Sequence, residues 1–143
     1  MTDEQSTSEF DLQRCVVKDL SFEAPMGHSV YAQEWKPIYS WNLEIRYNRL
    51  ADKLWEVILS ATVTAKLEAN VAYLIEAQQA GVVEMAEVEA DRLDRILGIE
   101  VPKMIFPYLR ETLDNVAVKG GFWPINLRPP DFDVMYQSGK PPG

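Results

Sequence analysis

From Leu54 to Leu67 the odd positions, Trp55, Val57, Leu59, Ala61, Val63, Ala65 and Leu67, are all apolar, while the even positions from Leu54 to Lys66 are mixed. Successive side chains of a strand point to opposite faces, so this period of two predicts a long strand with one face buried. Tyr39 to Tyr47 repeats the pattern, with Tyr39, Trp41, Leu43, Ile45 and Tyr47 set against Ser40, Asn42, Glu44 and Arg46. Phe10 to Glu23 alternates less cleanly: Phe10, Leu12, Val16, Leu20 and Phe22 are expected on one side and Asp11, Asp19 and Glu23 on the other. Val71 to Val83 is a fourth run, in which Tyr73, Ile75 and Ala77 oppose Leu74, Glu76 and Gln78. Short connections around Asn48–Lys53 and Glu68–Asn70 suit antiparallel neighbours. The linker from Ala24 to Pro37 carries Pro25, Gly27 and Pro37 and is too long for a tight hairpin, so a crossover connection is expected.

After Met85 the period changes to roughly 3.6. Val88, Leu93, Ile96 and Leu97 form a helical stripe, with Gly98 as the expected stop. A second helix is expected over Met104 to Lys119, with Ile105, Leu109, Leu113 and Val116 at helical spacing, Pro107 limiting where it begins and Gly120-Gly121 ending it. Asp131 to Gln137 suggests a short terminal helix. The resulting class is α+β: a four-stranded antiparallel sheet with a crossover connection, followed by two or three helices. One domain is expected over 10–137, between a flexible acidic segment, 1–9, and a short flexible tail, 138–143.

Two helices cannot cover both faces of such a sheet, and Leu54, Ile58 and Leu74 leave its second face partly apolar. Long edge strands also invite pairing. An oligomer that buries sheet and helix faces is therefore expected, the alternative being a monomer with a mixed open face.

Composition narrows the function classes. At 47% apolar and 25% charged the chain reads as an ordinary globular protein. Its net charge of −8, from 14 Lys and Arg against 22 Asp and Glu, provides no basic footprint for nucleic acid. The polar start lacks the basic and apolar regions of a signal peptide, and no stretch approaches the roughly 18 apolar residues of a membrane span, so no membrane insertion is expected. A single cysteine, Cys15, rules out an intrachain disulfide and fits a cytoplasmic location.

Candidate chemistry is sparse. His28 and Cys15 are a poor start for a zinc site, and Cys15 sits in an apolar-rich strand where a small core role is the ordinary reading. Gly120-Gly121 lacks the context of a phosphate cradle. No catalytic group, metal or cofactor is expected. The aromatic residues say more. Trp41 and Trp55 read as core, whereas Trp35, Tyr39, Phe122 and Trp123 lie at loops and strand ends, where they can line a groove for apolar side chains of another chain.

In this order the pieces resemble the bacterial export chaperone family SecB, from about Phe10 to Tyr136. The matching stretches are Lys18-Asp-Leu-Ser-Phe-Glu-Ala-Pro25, Glu34-Trp-Lys-Pro37, Val63-Thr-Ala65, Tyr73-Leu-Ile-Glu-Ala-Gln-Gln79 with Gly81, Ile105-Phe-Pro-Tyr108 with Arg110-Glu111, and Asn126-Leu127 with Phe132-Asp133. The resemblance implies a homotetramer, a dimer of dimers with helices sandwiched between sheets. Such a protein holds unfolded secretory preproteins in aromatic-lined grooves without ATP or cofactor and docks on the SecA ATPase. It places SecA docking on Asp19, Glu23, Leu74 and Glu76, and tetramer assembly on Ile75, Ala77 and Gln79. The alternation agrees with that division, because Leu74 and Glu76 share one strand face and Ile75, Ala77 and Gln79 the other. The chain departs from the family pattern at Ala80, where a glycine usually follows the paired glutamines, a change expected to bear on a local bulge. It departs again in the tail Gln137–Gly143, which is short and not acidic, whereas the family's tail usually makes a second contact with SecA. Two other readings stay open: a SecB-like guardian of an antitoxin, or an oligomer holding a small apolar ligand.

Overall fold

Four antiparallel strands form one sheet in the computed structural model, which describes residues 8–139. They are β1 (Phe10–Glu23), β2 (Ile38–Ala51), β3 (Leu54–Leu67) and β4 (Asn70–Met85), in the spatial order β1-β4-β3-β2. Chain order and spatial order differ because the segment between β1 and β2, with a 3-10 turn at Gly27–Ala32, crosses over to the far edge. The connections β2–β3 and β3–β4 are tighter than the sequence suggests, with Lys53 and Glu68 in the left-handed region.

The register fixes the two faces. Cross-strand rows such as Phe22–Ile75–Val63–Trp41 and Leu20–Ala77–Ala61–Leu43 lie on the face that meets the helices. The expected side for Val16 is corrected. Register shifts between Leu12 and Arg14 and between Val17 and Asp19 turn the strand over twice, so Cys15 and Val17 take the helix face while Val16 pairs with Ala80 on the open face. An extra residue in one strand flips every following side chain, which strict alternation cannot see. Ala80 itself pairs regularly with Val16 and Ile58, and the irregularities of the β1–β4 ladder fall in β1.

The helical part runs as α1 (Ala90–Arg95), a π-turn (Ile96–Glu100) and α2 (Val101–Lys119), followed by α3 (Phe132–Gly139). Gly98 does not stop a helix, and α2 begins before Met104. Val101 N–H donates five residues back to Ile96 O, and this wider winding admits Pro102, which lacks an amide for the ordinary bond. Gly98 is small because Tyr136 lies against it: a Cβ there would stand 2.8 Å from the Tyr136 ring. Pro107 lies inside α2, not in its first turn, on the exposed side where water can reach the freed carbonyl.

Buried Val101, Ile105, Leu109, Leu113 and Ala117 face the sheet. The helix approaches closely because β3 and β4 offer small residues beneath it, and a Cβ on Gly81 would meet Ile105 Cδ1 at 2.6 Å. At the far end Phe122 N–H donates to Ala117 O and Gly121 N–H to Val118 O, a Schellman ending with Gly121 at φ +92°. The terminal helix α3 is present as expected, started by Asp131, whose Oδ1 accepts from Val134 N–H at 3.1 Å.

The expected flexible segments lie mostly outside the described residues. Of the remainder, Glu9 is held by Arg92 in an ion pair, and Ser138 and Gly139 belong to α3.

Candidate functional site

The crossover segment and the loop after α2 meet over the end of the sheet, and aromatic rings fill their junction. Tyr73 on β4 is fully buried at its base, with the Phe122 ring centroid 4.6 Å away. Trp35 lies 5.2 Å from Phe122, nearly parallel to Tyr73 at 6.2 Å, and stacked with Trp123 at 5.8 Å. Phe22, Tyr31 and Tyr39 complete the cluster. Burial falls outward along it: Phe122 is buried, Trp35 half-buried, and Trp123 and Tyr31 are 60% and 57% exposed. Such a ladder presents polarisable ring surface to solvent from a rigid base.

Local chemistry explains why the loops hold this shape. Tyr31 O–H donates to Gly120 O at 3.2 Å, and Gly121 makes room for that hydroxyl, since a Cβ there would stand 2.0 Å from it. Gly120 likewise admits the Phe22 ring. Asp114 Oδ1 accepts from Ile125 N–H and Asn126 N–H at 2.9 and 3.0 Å, holding Asn126 at φ +60°. On the sheet, Tyr39, Ala65 and Tyr73 form one cross-strand row. The small Ala65 between them lets Tyr73 O–H reach Tyr39 Oη at 3.5 Å. Burial, and then that hydrogen bond, hold the Tyr73 hydroxyl well above the ordinary tyrosine range.

The four expected groove residues, Trp35, Tyr39, Phe122 and Trp123, are thus brought together, with Phe122 as buried footing. The sequence reading missed Tyr73, Phe22 and Tyr31. Tyr73 was legible in principle, because it shares a strand face with Ile75 and Ala77. Tyr31 carries no periodicity, being in the crossover.

The opposite face of the sheet gathers Asp19, Glu23, Leu74 and Glu76. Glu23 pairs directly with Leu74, Glu76 with Ser21, and Asp19 with Gln78. All three carboxylates are exposed, and Leu74 is half-buried between the strands. Ser60, Thr62 and Thr64 of β3 continue this face as a flat hydroxyl floor.

Ile75, Ala77 and Gln79 face the helices and are buried within the subunit. Gln79 Oε1 accepts from Thr112 Oγ1 on α2 at 2.8 Å, and its amide nitrogen donates to Cys15 Sγ on β1 at 3.6 Å. One side chain therefore ties β4 to its neighbouring strand and to the helix above it. Burial raises the Cys15 thiol above its ordinary 9.0. Among the described residues no cluster of His, Cys, Asp or Glu could hold a metal ion, and no helix is long and apolar enough to cross a membrane.

Comparison with known proteins supplies the family. A family model described as preprotein translocase subunit SecB matches residues 3–141. A "Protein-export protein SecB" of Marinobacter nauticus is 42% identical over 132 residues, covering 92% of this chain and 80% of that protein. One of Hahella chejuensis is 44% identical over 127 residues, covering 89% and 80%. Among solved structures, the Mycobacterium tuberculosis Rv1957 SecB-like chaperone, in complex with a ChAD peptide from the HigA1 antitoxin, matches with a TM-score of 0.67 at 12% identity over 84% of this chain and 86% of that one, a likeness of fold. The chain belongs to the SecB family.

Proposed function

We propose that the protein is an ATP-independent holding chaperone that binds non-native preproteins and delivers them to the SecA motor for export. Family membership carries the holding and export role, and the outward aromatic ladder is the observation that supports client binding at this end of the sheet. An exposed Phe or Leu of a client gains about 1.5–3 kcal/mol when buried. Ordering each client backbone residue costs about 1–2 kcal/mol. One short segment at one ladder is near break-even, so tight binding requires several ladders on one oligomer engaging one chain. Folded proteins keep their apolar side chains inside and are ignored.

A cytoplasmic homotetramer, built as a dimer of dimers, supplies that multiplicity. Supporting it, the outer side of α2 exposes Met104, Tyr108 and Val118, and β1 leaves an unpaired edge with Val17 and Leu20 half-uncovered. Ile75, Ala77 and Gln79 act in assembly from beneath, by setting the positions of α2 and β1.

SecA docks on the open face through Asp19, Glu23, Leu74 and Glu76. Exposed carboxylates around one half-buried leucine suit a basic partner surface with an apolar centre, and their charge favours encounter. Binding of purified SecA tests this. The wild type binds, Glu76→Lys binds at least tenfold more weakly, and the salt dependence flattens in the variant. Equal binding by both would place SecA elsewhere.

A further inference from the structure

Trp123 is the outermost ring of the ladder and the least supported. It is 60% exposed, and its ring partner is Trp35, at 5.8 Å and 28°. The backbone on both sides is fixed. Phe122 N–H closes the Schellman ending of α2, and Ile125 and Asn126 N–H groups both donate to Asp114. Trp123 and Pro124 bridge the two anchored points, so the indole can swing about its side-chain torsions while the loop stays in place. The ring beneath it differs in kind. Trp35 is packed against Phe122 and Tyr73 as well, and Tyr31, hydrogen-bonded to Gly120 O, straps the crossover segment to the same loop.

We infer that Trp123 is a self-ligand: in the free protein it occupies the seat on Trp35 that an aromatic or large aliphatic client side chain takes, and it swings out when a client arrives. This deepens the holding reading above and rests on it. A plug of the same chemistry as the ligand makes binding an exchange of one ring stack for another. The uncovered Trp35 ring is not left in water when no client is bound, and the bound client faces an internal competitor that favours its release. Stacks of this kind imply a competition of about two- to tenfold in affinity.

The test uses a fluorescein-labelled, unstructured peptide with two phenylalanines and no tryptophan. Its binding is followed by anisotropy to the full chain, Trp123→Ala and Trp123→Phe, each first checked for an unchanged circular dichroism spectrum and unchanged oligomer mass. A self-ligand predicts that Trp123→Ala binds about two- to tenfold more tightly, chiefly through faster association, with Trp123→Phe between it and wild type. Weaker or unchanged binding by Trp123→Ala, with the wild type still binding, makes Trp123 a wall or a bystander and overturns the inference alone. Absence of binding by wild type and Trp123→Ala alike overturns it together with the holding reading.

Discussion

Gln79 shows how one side chain carries several duties. It is buried, accepts from Thr112 and donates to Cys15, so removing either polar partner leaves another uncompensated. Thr112→Val is expected to cost about 1–3 kcal/mol in urea unfolding, because Gln79 Oε1 then lies buried without its donor. The double variant Gln79→Leu/Thr112→Val should recover a large part of that loss, and additive losses in the double variant would mean that the bond is not what holds α2 there. The thiol and two of the phenols point one way. Cys15, Tyr47 and Tyr73 all keep their protons more tightly in the fold, mainly through burial, and Tyr47 also through its hydrogen bond to Asp94. Raised folded values contribute stability that is complete below the unfolded values, 9.0 for the thiol and 10.0 for the phenols, and is lost as pH climbs through the folded ones. Thermal melts should therefore fall above about pH 9 and more steeply past 10. A melting temperature flat to pH 11 would contradict this.

At the level of elements, the strands were largely legible and the helices less so. Period two places β3 at its observed bounds because every odd residue from Trp55 to Leu67 faces the helices, and the register shifts beside it put their extra residues, Leu50 and Ala72, in the neighbouring strands. In β1 the same rule misplaced Val16, since the two register shifts depend on pairing with β4, a tertiary fact. Glycine commonly ends helices, which makes Gly98 resemble a stop in the sequence, but its role is close approach to Tyr136, a residue distant in the sequence. The aromatic site was half legible. Loop positions flag Trp35 and Trp123, while Tyr31 joins only through the crossover and Phe22 only through the pairing of β1 with β4. Gly121 offers the clearest test at this scale. It combines φ +92° with Tyr31 Oη in the space of a Cβ, so Gly121→Ala should destabilise by about 1–3 kcal/mol and loosen the strap over the ladder. Proteolysis between 121 and 126 should accelerate in that variant. An unchanged urea midpoint would show that the two loops are not clasped as described.

For the whole molecule, the same alternation that builds the sheet leaves two surfaces without cover inside one subunit. The outward apolar residues of α2 and the open β1 edge suit self-association, and light scattering after size exclusion should give about four times the 16.3 kDa of one chain. A clean monomer would remove the multiplicity on which tight holding depends. The proposed SecA surface is the open sheet face, so in that arrangement client and motor take opposite sides of each sheet and need not compete. The proposed holding of unfolded chains by aromatic surface needs no ATP. It is tested most directly by adding the purified protein to a slowly folding preprotein diluted from denaturant, with ATP absent, and following light scattering beside binding to the same preprotein in its native form. Aggregation should be suppressed at stoichiometric chaperone, and only the denatured form should bind. Equal binding to native and denatured preprotein, or aggregation unchanged by the chaperone, would contradict it.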